Sequence, residues 1–113
     1  MKFFIVMCAV ALAGAAHAKP ADCFVEVRGH TLLSGLCEFT AIPGGHFRVS
    51  SYENNGYAPE TFVDVLITQK NVAEGFWNGS RYQPEVEAPL GTLIRSKRDR
   101  ACWENRNARV CAW

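Results

Sequence analysis

Apolar and polar residues alternate along most of this chain, and the alternation breaks at clusters of glycine, proline and asparagine. In Cys23-Phe24-Val25-Glu26-Val27 the residues Cys23, Val25 and Val27 fall on one side and Glu26 on the other, the period of a half-buried strand. Arg28-Gly29-His30-Thr31 reads as a turn, after which Leu32 to Thr40 runs extended, with Cys37, Phe39 and Ala41 sharing a face. Pro43-Gly44-Gly45 is the sharpest turn signal, and Phe47 to Ser50 continues as the next strand. Glu53 to Pro59 has the composition of an exposed loop, the kind of segment on which binding residues ride.

Residues 61–75 sit between Pro59 and Gly75, which would bracket a helix. Thr61, Phe62, Val63, Val65, Ile67 and Thr68 are β-branched or aromatic and crowded together, which disfavours helix and suits a sheet. A hairpin turning at Gln69-Lys70-Asn71 is therefore expected, with Val72 to Trp77 as its second strand. Asn78-Gly79 closes that strand, and Pro84 and Pro89 are expected to keep the next segment irregular or at a sheet edge. Leu90 to Arg95 forms another short strand, Ser96 to Arg100 a basic turn, and Ala101 to Trp103 with Ala108 to Trp113 the last hairpin. The fold class expected is all-β, a small antiparallel barrel or sandwich of about six to eight short strands.

The first eighteen residues do not belong to that pattern. Met1-Lys2 is a basic start, Phe3 to Ala13 an apolar run too short to cross a membrane, and Ala16-His17-Ala18 places small residues at both cleavage-specifying positions. Residues 1–18 read as an export signal, with Cys8 a discarded part of its apolar run, and 19–113 as a single mature β-rich domain. No second apolar stretch reaches the roughly 20 residues of a membrane helix, so no membrane anchor is expected and the product is placed in the periplasm or the medium.

Export explains the remaining cysteines. If the last hairpin turns on Arg106-Asn107, Glu104 faces Arg109, Trp103 faces Val110 and Cys102 faces Cys111, each pair being chemically sensible. Local pairing of Cys23 with Cys37 and of Cys102 with Cys111 is expected, two bridges worth about 2.5 to 3 kcal/mol each in the chain-entropy model. The cysteines lack the paired short spacings of a zinc site, and exported thiols become oxidised. No metal or cofactor is expected.

Loss of Lys2 with the leader brings the formal charge from +1 to zero, so nothing points to nucleic acid. The charge is unevenly spread: residues 52–90 are net acidic and 91–113 net basic, an arrangement in which the two halves would attract one another. His30 and His46 sit beside glycines in expected turns, and no G-x-S-x-G, H-E-x-x-H or phosphate-binding glycine loop occurs. Asp64, Glu85 and Glu87 are the carboxylates available for glycan hydrolysis, a chemistry decided by their separation. Asn78-Gly79-Ser80 fits a glycosylation acceptor, though a tight turn explains it.

Aromatic residues with polar tips favour recognition surfaces. Trp77 and Trp103 lie within expected strands and read as core, whereas Tyr52, Tyr57 and Tyr82 lie in or beside loops. Together with Glu53, Glu85 and Glu87 they form the candidate binding set, which would present charge and tyrosines to a basic partner.

Trp77-Asn78-Gly79, Leu90-Gly91-Thr92-Leu93, Ala101-Cys102-Trp103 with Asn105, and Val110-Cys111-Ala112-Trp113 resemble a group of small uncharacterised exported bacterial proteins that share a C-terminal Cys-Trp and Cys-Ala-Trp hairpin. The resemblance covers roughly the last 40 residues and implies a compact domain, with no activity or site attached. Exported lysozyme inhibitors are similar in size, disulfide use and barrel character, by analogy alone. The reading is a non-enzymatic binding module whose partner is a protein, a basic cell-wall-degrading enzyme among the candidates, or cell-wall glycan. The alternatives are a small cell-wall glycoside hydrolase using Asp64 and a glutamate, and a structural envelope-stress protein.

Overall fold

The computed structural model describes residues 18–52, 60–79 and 87–113. Eight antiparallel strands, β1 (Ala18–Val27), β2 (His30–Ile42), β3 (His46–Ser50), β4 (Phe62–Gln69), β5 (Val72–Trp77), β6 (Ala88–Arg95), β7 (Cys102–Glu104) and β8 (Ala108–Ala112), each pair with the next, and β8 returns to β1 to close a barrel. The closing ladder runs from Cys23 opposite Ala112 to Val27 opposite Ala108. No helix long and apolar enough to cross a membrane occurs among the described residues.

Period-two alternation fills the barrel. Cys23, Val25 and Val27 of β1, Phe47 and Val49 of β3, Val63 and Val65 of β4, Leu93 of β6, Trp103 of β7 and Val110 of β8 form one buried cluster. These side chains converge because alternate residues of every strand point into a small barrel whose interior only they can fill. Gly75 of β5 is required by that packing. A Cβ there would lie 2.7 Å from Leu93 Cδ1 and 3.2 Å from Leu90 Cβ, so the leucines occupy the volume that any other residue would claim.

The hairpin expectations are met, in places to the residue. β4 and β5 turn through Lys70 and Asn71, the latter at φ 63°, and the helix alternative for residues 61–75 is excluded by the β3–β4–β5 pairing. In the last hairpin Cys102 faces Cys111, Trp103 faces Val110 and Glu104 faces Arg109.

Both disulfides form as expected, with different geometries. Cys102 and Cys111 are direct cross-strand partners with Cα atoms 4.0 Å apart. They lie on the opposite face of the hairpin from Trp103 and Val110, yet both are fully buried. Cys23 instead faces Gly35 while Cys37 faces Ala21, so that bridge runs diagonally between β1 and β2, with Cα atoms 5.8 Å apart. Two such bridges fit an oxidising, non-cytoplasmic compartment.

Four expectations need correction. Pro89 is neither irregular nor at an edge: it lies within β6 opposite Phe76, beside a register shift, and a closed barrel offers no edge to hold it. The turn after β1 is Arg28-Gly29 alone, His30 and Thr31 being already paired with Val27 and Glu26. His46 is not a solvated turn residue, because it opens β3 and its Nδ1 accepts a hydrogen bond from the Ile67 amide at 2.8 Å. The acidic and basic halves share no salt bridge among the described residues: those present are Arg48–Asp64 and Glu104–Arg109, neither of which joins one half to the other.

Candidate functional site

Strand direction gives the barrel two distinct ends. At the lower end lie the turns 43–45 and 70–71, the connection 96–101, the start of β1 and the end of β8; at the upper end lie the turn 28–29, the connection 51–61, the connection 78–87 and the turn 105–107. The two longest connections in the barrel therefore leave from the same end. Every candidate binding residue of the sequence belongs to them. Tyr52 is exposed two residues after β3 and Glu87 is exposed directly before β6. Glu53, Tyr57, Tyr82 and Glu85 lie outside the described residues, as does Ser80 of the Asn-Gly-Ser triplet.

The roots of these two connections are fastened to each other and to the barrel. The Ser51 amide donates to the Thr61 carbonyl at 2.9 Å, and the Thr61 amide returns a bond to Ser51 Oγ at 3.1 Å. Asn78, 2% exposed, accepts the Phe62 amide on Oδ1 at 3.1 Å and donates from Nδ2 to the Glu60 carbonyl at 2.8 Å. One buried amide thus holds the end of one connection against the beginning of the other. The Asn78 side-chain nitrogen, the atom a sugar would occupy in the Asn-Gly-Ser triplet, is buried and bonded to main chain. Beside it a recess of about 340 Å³ opens between Trp77, Leu32, Thr31 and Thr61. Leu32 has no partner in the β1–β2 ladder, where the register slips after Val25.

Arg48 of β3 and Asp64 of β4 are committed to each other. Arg48 Nε and Nη2 donate to the two oxygens of Asp64 at 2.5 and 2.8 Å, and the guanidinium lies 4.1 Å from the Phe62 ring centroid. The bond to Asp64 raises the Arg48 pKa above its ordinary value; partial burial works against that shift, and the charges of Asp64 and Glu87 add to it. Asp64, a candidate hydrolytic acid in the sequence, is 8% exposed and both its oxygens are engaged by one arginine. Among the described residues no three His, Cys, Asp or Glu side chains gather as a metal site.

Sequence reasoning missed the opposite mouth. Lys70, Arg95 and Arg100 come from the turn after β4, the end of β6 and the connection after it, and they meet around a recess of about 360 Å³ floored by Phe47, Ile67 and Trp103. Nothing in the local pattern marks them as a group, because each is an ordinary basic residue at a strand end. The available signals were the basic turn Ser96 to Arg100 and the net basic character of residues 91–113, neither of which includes Lys70.

Comparison with known proteins finds no matching family model, no matching curated protein and no matching solved structure.

Proposed function

We propose that this is an exported, non-enzymatic binding module of the periplasm or medium that recognises a protein, a cell-wall-degrading enzyme being the foremost candidate, through the upper end of its barrel. The observation that carries the reading is the stapling of the two longest connections at their roots by Asn78 and by Ser51 with Thr61. A rigid frame beneath two adjacent connections lowers the ordering cost of a recognition surface. Those connections hold the tyrosines Tyr52, Tyr57 and Tyr82 and the acids Glu53, Glu85 and Glu87, a composition suited to a basic partner. The engagement of Asp64 by Arg48 weighs against the hydrolase alternative.

The test uses the oxidised mature protein and lysozyme as a basic lytic probe, with heat of binding and residual lytic activity as readouts. Binding that disappears when residues 53–58 and 80–85 are replaced by Gly-Ser connections of equal length, while melting remains cooperative, supports the reading. The reading is abandoned if the native protein binds neither lysozyme nor any lytic enzyme of its own envelope, or if the replaced variant binds as tightly as the native chain.

A further inference from the structure

The lower mouth of the barrel, at the end opposite the proposed recognition surface, has the construction of an anion site. We propose that it binds a small organic anion, a carboxylate or phosphate carried on a flat apolar body.

Three cations line this recess, Lys70, Arg95 and Arg100, and among the described residues no acidic one does. Gathering like charges at a concave surface is unfavourable unless something of opposite sign shares the space. Asp99, the one acid in the 96–101 connection, is turned elsewhere. Its Oδ1 accepts the Ala101 amide at 3.0 Å and its Oδ2 the Trp113 indole at 3.0 Å.

Arg95 gives the strongest indication. Its Nε, like that of Arg109 elsewhere in the barrel, is buried with no hydrogen-bond partner among the described residues, and the Arg95 side chain borders a recess from which an acceptor could approach its guanidinium. Its guanidinium is 4.7 Å from the Trp103 ring centroid, a stacking contact that holds the plane of the donor fork in advance of any ligand. The backbone helps as well: the Arg95 amide donates to the Asn71 carbonyl at 3.0 Å, and Arg100 Nη2 reaches Asn71 Oδ1 at 3.3 Å. A single turn residue thereby restrains both arginines.

The shape of the recess supplies the rest of the ligand. Its floor is apolar, with Phe47 stacked on Phe39 at 5.3 Å between centroids and Trp103 buried, and its volume of about 360 Å³ falls at the small-molecule end of ligand sites. Paired arginines favour carboxylate or phosphate because the planar fork matches two oxygens at once. A ring or short apolar chain would lie on the floor while its anionic group meets Arg95 and Arg100.

The experiment titrates benzoate and phenyl phosphate into the oxidised, nitrogen-15-labelled mature protein, with benzamide and inorganic phosphate as comparisons. Saturable movement of the Arg95 Nε–H and Trp103 indole resonances is expected with at least one of the two aromatic anions, and the stronger binder tells carboxylate from phosphate. Benzamide should leave both resonances in place and inorganic phosphate should bind more weakly than phenyl phosphate. Arg95→Gln and Arg100→Gln should each weaken binding about tenfold, the loss of one charge-assisted bond. Arg100 is exposed, so its variant keeps the test independent of folding.

Absence of saturable shifts with either anion, an equal response to benzamide, or full affinity in Arg100→Gln would overturn the proposal. Inorganic phosphate binding as tightly as phenyl phosphate would overturn the apolar half of the ligand. Replacing residues 53–58 and 80–85 should leave this binding unchanged, which separates its failure from failure of the upper-end reading.

Discussion

Arg48 and Asp64 stand directly opposite each other on β3 and β4, and the arginine holds both carboxylate oxygens of its partner. A carboxylate gripped in this way is a structural anion: to act as nucleophile or base it would first have to leave a bidentate, charge-assisted pair. Asp64→Asn should therefore destabilise the barrel by about 1 to 2 kcal/mol, a figure held down by the partial exposure of Arg48. Urea denaturation of the oxidised protein measures this. Turnover of labelled peptidoglycan by the native chain, abolished in Asp64→Asn at unchanged fold, would instead restore Asp64 as a catalyst.

Asn78 bonds two main-chain groups while almost wholly buried. Asn78→Ala would strand the Phe62 amide and the Glu60 carbonyl together, costing about 2 to 3 kcal/mol. Asn78→Asp should not rescue it, because a carboxylate would face the Glu60 carbonyl. Thermal melting of the two variants, with amide exchange at Phe62 rising well before the β1–β8 ladder opens, is the expected result. Equal melting of native and Asn78→Ala protein would remove the staple from the account.

Gly75→Ala tests the interior packing. The new methyl would meet Leu93 Cδ1, which can rotate, and Leu90 Cβ, which cannot without moving β6. Overpacking of this kind costs about 1 to 3 kcal/mol. A second change, Leu93→Val, should recover part of the loss by clearing the closer contact, and the double-mutant cycle reads the coupling directly.

Asp99 fastens the C-terminus in a pH-dependent way. The bond from the Ala101 amide, then that from the Trp113 indole, lowers its pKa below the usual carboxylate value, with Arg109 adding to the effect. A carboxyl with a depressed folded-state pKa contributes its share of stability above the unfolded-state value and loses it as pH falls through the folded-state value. The Trp113 indole resonance should hold its position at neutral pH and move below the ordinary carboxylate range. In Asp99→Asn that acid transition should vanish.

Much of the fold was legible because it is local. The register of the 102–111 hairpin followed from cross-strand chemistry around a short turn, and the Lys70-Asn71 turn followed from β-branched crowding on its first strand. Cys23 and Cys37 could be paired from their spacing, whereas the diagonal placement of that bridge depended on the β1–β2 register. Asp64 looked free because its partner Arg48 lies across the intervening connection, and Pro89 looked like an edge residue because closure of the barrel is invisible to local pattern.

The order of charged residues therefore fixed which groups exist, and the alternation of apolar ones fixed which side of each strand is buried, since the pleat has a period of two. Whether charges from distant parts of the chain pair, as Arg48 and Asp64 do, or gather at a mouth was decided only when the strands paired. Antiparallel pairing of β4, β5, β6 and β7 brought Lys70, Arg95 and Arg100 to one rim, and the alternating strand direction put the two longest connections at the other. The reason is physical: alternation is set by neighbours along the chain, while the composition of a rim is set by contacts between residues far apart in sequence.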